Sequence, residues 1–226
     1  MGINPEKDNW LFHAQGYLKL ARLCCQELLK PNHHWSEGNS RVPTDWHERF
    51  PMGYETSDLL PGILFTIKHG VELFLKSALI DLGIPNFTSH DIVELFGTIK
   101  KIILETGWKP VFLDTGQTEL SEQEIERIKN EVVPRLEHLI ISLQENQILN
   151  DKLGVAPVPD PKNQLFRYPQ ITRGNQYDFG ALIQNISGKD IQSIILLIDE
   201  LYEHLNDIGF IFAVDARHKP RESGNK

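Results

Sequence analysis

Cysteine is scarce in this chain: there are two in 226 residues, Cys24 and Cys25, side by side. Neighbouring helix residues point about 100° apart, so the pair cannot close a disulfide on itself. No second, spaced pair exists to build a disulfide framework or a zinc site, and a reducing compartment, the cytoplasm, is expected. Long apolar runs are also lacking. None reaches the roughly 18 residues that a membrane helix needs, and the opening MGINPEKDNW has no apolar signal region, so no membrane partner is expected. Positive charge does not dominate either. Lys and Arg number 23 against 31 Asp and Glu, a net charge of −8. Unselective attraction of nucleic acid is thereby excluded, and any such contact needs a local basic patch. Glycine-rich phosphate loops, the GxSxG elbow and HExxH are all absent, so no cofactor and no metal are expected. Convincing strand alternation is missing as well.

What the chain does have is helical periodicity. Leu11, Ala14, Leu18, Ala21, Cys25 and Leu28 recur at three and four residues, which predicts a helix over about Asn9 to Leu29, with Asn9 as N-cap and Pro31 beyond its end. A long loop, 32–57, follows. It holds His33, His34 and His47 together with Trp35 and Trp46, and adjacent histidines cannot easily aim both rings at one ion. Loops of this length in compact domains are lids, binding loops or disordered segments. A second helix starts near Leu59–Ile63 and ends near Leu82, with Ile63, Ile67, Val71, Phe74, Ala78 and Leu82 as its stripe. Gly83 and Pro85 stop it. Ser89 is the expected N-cap of a third helix carrying Ile92, Leu95, Phe96, Ile99, Ile102 and Ile103, with Gly107 closing it. Ser121 to Glu124 has the capping-box pattern and opens a fourth helix reaching towards Gln147, in which Pro134 predicts a kink. An irregular arm, 150–180, precedes a last helix that starts after Ser187 and buries Ile191, Ile194, Ile195, Ile198, Leu201, Leu205 and Ile208. Residues 216–226 read as a polar tail. The expectation is one all-α domain over 1–215, an up-and-down bundle of about five helices.

Three groups of polar residues carry possible chemistry. On the second helix His69, Glu72 and Lys76 fall at helical spacing, with Lys68 one turn before Glu72. These residues are either the solvated edge of the bundle, joined by weak surface ion pairs, or the wall of a groove that contacts a ligand. His90 and Glu94 stand four apart at a helix start. That is a spacing that can hold a metal, but no third ligand is visible, and His90 is read instead as ordering the start of the helix. Between Asp160 and Asp178 there is no acidic residue, and Lys162, Arg167 and Arg173 alternate with Phe166, Tyr168 and Tyr177. Arginine forks bind phosphate and rings stack bases, so this stretch suits a nucleotide or single-stranded RNA. The same composition also suits an arm that packs its rings on the bundle.

The stretch HGVELFLKSALIDLGI, followed by SHDIVELF, resembles the HEPN superfamily, the higher eukaryote and prokaryote nucleotide-binding domains. Glu72, Leu75, Lys76, Gly83, His90 and Asp91 match its ExxLKaxL helix, glycine turn and H-D/N-L restart, and the FRYP run, Phe166 to Pro169, is similar to family members. The resemblance implies an up-and-down bundle, a homodimer, and a role in RNA cleavage, toxin–antitoxin pairing or phage defence. Nucleases of the family carry Arg-x(4–6)-His near the last helices. The one match here, Arg41 to His47, lies between the first two helices, where the family does not place it. His204 has no arginine at the right distance before it, and Arg217 and His218 are adjacent. The expectation is therefore a HEPN-like module without the usual nuclease motif, binding RNA, a nucleotide or a partner protein. His69, Glu72, Lys76, His90, Arg167, Tyr168 and Arg173 are its candidate ligand contacts. A divergent metal-independent ribonuclease using Arg41 and His47, or His69 and Glu72, is the first alternative. A protein–protein adaptor without nucleic-acid contact is the second.

Overall fold

The computed structural model describes residues 5–29, 56–82, 84, 88–105, 121–145 and 186–218, and these residues are helical with short turns. The helices are α1 (Pro5–Leu28), α2 (Thr56–Asp81), α3 (Ile92–Leu104), α4 (Glu122–Arg127), α5 (Val133–Gln144) and α6 (Gly188–His218). A π-helical turn, Ile128–Val132, joins α4 to α5 without a break. The expected five-helix, all-α bundle is observed, with α4 and α5 as one interrupted helix. Among the described residues no strand occurs and no helix is long and apolar enough to cross a membrane.

Cross-helix contacts set the directions. Gln15 donates to Asn206 and Arg22 to Asp199, so α1 and α6 run antiparallel. Trp10 lies by Lys76 and Tyr17 by His69, so α1 and α2 are antiparallel too. Arg127 reaches Asp207 and Arg135 reaches Glu200, which sets the α4–α5 unit antiparallel to α6. Lys100 on α3 holds Glu137 on α5 through both carboxylate oxygens at 2.7 Å.

The core is the union of the apolar stripes. Leu18, Ile67, Ile99, Leu136, Ile140 and Ile194 are among its fully buried members. Leu11 and Leu82, at the ends of their stripes, are only partly buried. The helices α1 and α2 approach each other tightly at Gly70. A Cβ built there would stand 3.1 Å from Leu18 Cγ and 3.2 Å from the Ala14 carbonyl oxygen.

Helix starts differ from the sequence expectation in three places. Helix α1 begins at Pro5, so Asn9 lies inside it; proline is favoured in a first turn because its fixed φ is already helical. Helix α2 begins at Thr56 and passes through Pro61, so Thr56 and Ser57, expected in the loop, are helical. The N-cap of α3 is Asp91, whose side chain accepts from the backbone N–H of Val93 and Glu94. Ser89 works one step further out: its hydroxyl accepts from Asp91 N–H at 3.1 Å and donates to Glu94 Oε2 at 2.6 Å. The other two caps are as expected. Ser121 and Glu124 form a complete capping box, and Asp190 accepts from the backbone and hydroxyl of Ser187. The interruption at Pro134 is a widened turn. Val133 N–H bonds back five residues to Ile128, immediately before the proline that lacks an N–H. The stripe of Ile128, Val132, Leu136 and Ile140 stays buried through it.

Candidate functional site

Helix α2 carries charge on a covered face. Lys68 is 1% exposed, Glu72 2% and Lys76 6%. The solvated-edge reading of these residues is thereby overturned. Helical spacing alone does not say whether a polar row faces water, and here α1 and the start of α3 lie over it. From α1, Tyr17 sets its ring edge-on to His69 at 4.9 Å, and Trp10 lies 6.0 Å from the Lys76 ammonium. From within α2, Phe65 stacks on His69 at 5.6 Å with planes 12° apart.

Glu72 is the centre. Its Oε1 accepts from Lys76 Nζ at 2.7 Å and lies 2.8 Å from His90 Nδ1. Its Oε2 faces His69 Nδ1 at 3.7 Å, too long for a hydrogen bond. Burial pushes this carboxyl up, but His69, Lys76 and His90 together push it down further, to about 2. Glu72 is therefore ionised across the physiological range and can only accept. The proton in the Glu72–His90 contact must belong to His90, so Nδ1–H donates. In the neutral ring that leaves Nε2 as a bare acceptor. The His90 side chain is 53% exposed, and among the described residues no hydrogen bond is made by Nε2. His69 is more enclosed, its side chain 20% exposed, with Nδ1 buried and unbonded.

The short α2–α3 connection makes this geometry. Ile84 N–H closes on Leu79 carbonyl at 2.9 Å, and Asp91 caps α3, so His90 sits between two fixed points. Glu94 is turned to Ser89 rather than towards a metal, and no group of three metal-type donors occurs among the described residues. His69, Glu72, Lys76 and His90 are thus brought together, with Glu72 and Lys76 covered and only His90 half-exposed. Arg41, His47, Arg167, Tyr168 and Arg173 lie outside the described residues. Tyr17, Trp10 and Phe65, which shape the site, were not singled out from sequence. They lie beside the apolar stripes rather than in them, half-buried, and became visible only when α1 was laid on α2.

A second ionic group lies between α5 and α6. Arg135 grips Glu200 with Nε and, at 2.8 Å, with its terminal nitrogen. His204 Nε2 is 3.8 Å from the same carboxylate. The guanidinium, more than burial raises it, holds the Glu200 carboxyl below its ordinary value, with His204 and His138 adding to it. No arginine precedes His204 at a readable spacing, so the contact of Arg135 with this group arises from the fold. The cysteines show no activation: burial pushes both thiols up, Cys25 to about 12.

No family model, curated protein or solved structure matches this chain.

Proposed function

We propose that the chain is a HEPN-like helical module that binds RNA or a nucleotide at the edge formed by α2 and the start of α3. One observation carries the reading: the buried, ionised Glu72 holds His90 by Nδ1 and turns an open Nε2 outward on a half-exposed ring. A ring so oriented accepts from a ribose hydroxyl or a base N–H. Phosphate is the poorer ligand for this edge, because Asp91 already satisfies the first N–H groups of α3 and Glu94 adds a negative charge beside them. The basic, aromatic stretch of Arg167, Tyr168 and Arg173 supplies the residue types that phosphates and stacked bases require. The resemblance to HEPN domains adds the expectation of a homodimer and of a toxin–antitoxin or defence setting.

Fluorescence anisotropy with a labelled single-stranded RNA, and with labelled ATP, tests the reading over a salt series. Binding that weakens with salt and falls at least tenfold in Arg167→Ala/Arg173→Ala and in His90→Ala is expected. No binding of either probe at low salt defeats it, and leaves a protein–protein adaptor. Light scattering that finds a monomer at high concentration defeats the homodimer.

A further inference from the structure

Helix α1 is apolar on two opposite sides. Its inner stripe, Ala14, Leu18, Ala21, Cys25 and Leu28, is buried in the core. Gln15 and Arg22 hold α6 on one flank, and Trp10 and Tyr17 lie against α2 on the other. The remaining side carries Phe12, Gly16, Leu20 and Leu23, spaced by four, four and three. Phe12 is 73% exposed, Leu23 58% and Leu20 51%. On α6, Leu196 is 60% exposed, one turn before the Asp199 that Arg22 holds. A bundle helix needs one apolar stripe for its core, and a second stripe set opposite the first needs cover of its own.

We propose that this outer face is the seam of a two-fold dimer, in which α1 packs antiparallel on α1 of a second copy. Register, charge and area select a second copy as the occupant. Facing positions of an antiparallel helix pair add to a constant, and Phe12 with Leu23 and Gly16 with Leu20 give the same constant to within one. The stripe is therefore complementary to itself, as a two-fold seam requires. Gly16 is the hole for that packing: a Cβ built there meets nothing within 4 Å, so a second copy can lay its leucine over open surface. The chain as a whole carries −8. Beyond the Arg22–Asp199 pair, however, the charges beside this stripe among the described residues of α1 are Lys19 and Glu27, one of each sign. A partner chosen by charge would need a single sign here, and a second copy needs none. Phe12, Leu20, Leu23 and Leu196 together expose on the order of 400 Å² per copy. That is close to the apolar half of the roughly 800 Å² that each partner gives to a standard seam.

This seam lies away from the candidate site. Trp10 and Tyr17 leave α1 towards Lys76 and His69, on a different flank from the outer stripe. Each copy thus keeps its own α2–α3 edge and its own half-exposed His90, and no ligand edge is shared across the axis. From the function proposed above this inference takes the homodimer alone, and it is independent of RNA binding.

Sedimentation equilibrium of the full chain over a wide concentration range tests the seam, with circular dichroism and RNA anisotropy alongside. Leu20→Glu sets a carboxylate against the glycine of the other copy twice per dimer. It should weaken association by about a hundredfold or more with an unchanged dichroism spectrum. Phe12→Lys alone and Leu23→Glu alone should do the same. Mixed together they should recover a dimer, because one facing pair is then Phe12 with Leu23 and the other is an ion pair; recovery also shows that both chains are folded. RNA affinity per chain should stay within about threefold in Leu20→Glu. A wild-type chain that is monomeric at every concentration overturns the seam, whatever the RNA assay shows. A dimer undiminished in Leu20→Glu and Phe12→Lys overturns it and leaves the homodimer to another face. Failure of the mixture to recover a dimer overturns the register, and RNA binding lost with the dimer in a folded Leu20→Glu chain overturns the separation of seam and site. A wild-type dimer that binds no RNA defeats the proposed function and leaves the seam standing.

Discussion

Replacing Glu72 by Gln removes one charge and almost no volume, and its cost can be worked from the structure. The carboxyl is held at about 2 against an ordinary 4.5. Each unit is worth about 1.4 kcal/mol of preference for the ionised form in the folded state, so the ionised group contributes about 3 kcal/mol at neutral pH. Breaking a buried ion pair from one side gives a similar figure, about 3–5 kcal/mol. The folded value is the depressed one. The contribution is therefore complete above about pH 4.5 and disappears as pH falls through about 2; near pH 3 about 1 kcal/mol of it remains. Urea unfolding of both proteins, followed by far-ultraviolet circular dichroism, measures the difference and cancels the other carboxylates. The expected gap is about 3 kcal/mol at pH 7 and about 1 kcal/mol at pH 3, with a loss of about 6–12 °C in Tm at pH 7. A gap below about 1 kcal/mol at pH 7, or one that does not change between the two pH values, refutes the picture of an ionised, buried, partnered Glu72.

Gly70→Ala and Gly62→Ala form a matched pair. The first drives a methyl to 3.1 Å from Leu18 and 3.2 Å from the Ala14 carbonyl, and should cost about 1–3 kcal/mol in thermal or urea unfolding; the second meets nothing within 4 Å and should be neutral or stabilising by up to about 1 kcal/mol. Ser121→Ala opens the capping box of α4 and should cost about 1 kcal/mol by the same measurement, while retention of full stability would show that the cap is dispensable. Iodoacetamide at pH 8 should label Cys24 slowly and leave Cys25 unmodified in the folded protein, because Cys25 is buried with its thiol pushed up to about 12; peptide mass spectrometry reads both sites, and equal labelling would contradict the placement of α1.

The apolar architecture was legible because its signal is local. Ile191, Ile194, Ile198, Leu201 and Leu205 lie on one side of any helix drawn through them, and all are buried. Ser121 and Glu124 were legible for the same reason: a capping box closes within four residues. Helix starts were less so where two residues compete for one role. Ser89 and Asp91 are both good caps, and which oxygen meets the free N–H groups depends on where the chain leaves α2. The site was half legible. His69, Glu72 and Lys76 share a helix face in any drawing, and a row of i and i+4 charges reads the same in water and under cover. What covers them, Tyr17 and Trp10, lies more than fifty residues earlier in the chain, and the hydrogen bond from His90 needs the turn between α2 and α3 to be closed.

That cover raises a question of energetics that bears on function. Taking Lys68, Glu72 and Lys76 out of water costs several kcal/mol per ion, and their mutual attraction roughly offsets it. An apolar set of the same volume would hold α1, α2 and α3 together at least as well. Packing alone therefore does not account for charge at this place. Placement of an exposed group does. A carboxylate that must stay ionised is the acceptor that fixes one tautomer of His90, and an apolar replacement cannot do that. The same carboxylate is braced by Lys76, which donates to the oxygen that faces His90. The stability gap of Glu72→Gln and the change in RNA affinity measured in His90→Ala thus report on different things. The first measures how firmly the bracket is built, and the second measures what it holds out to a ligand.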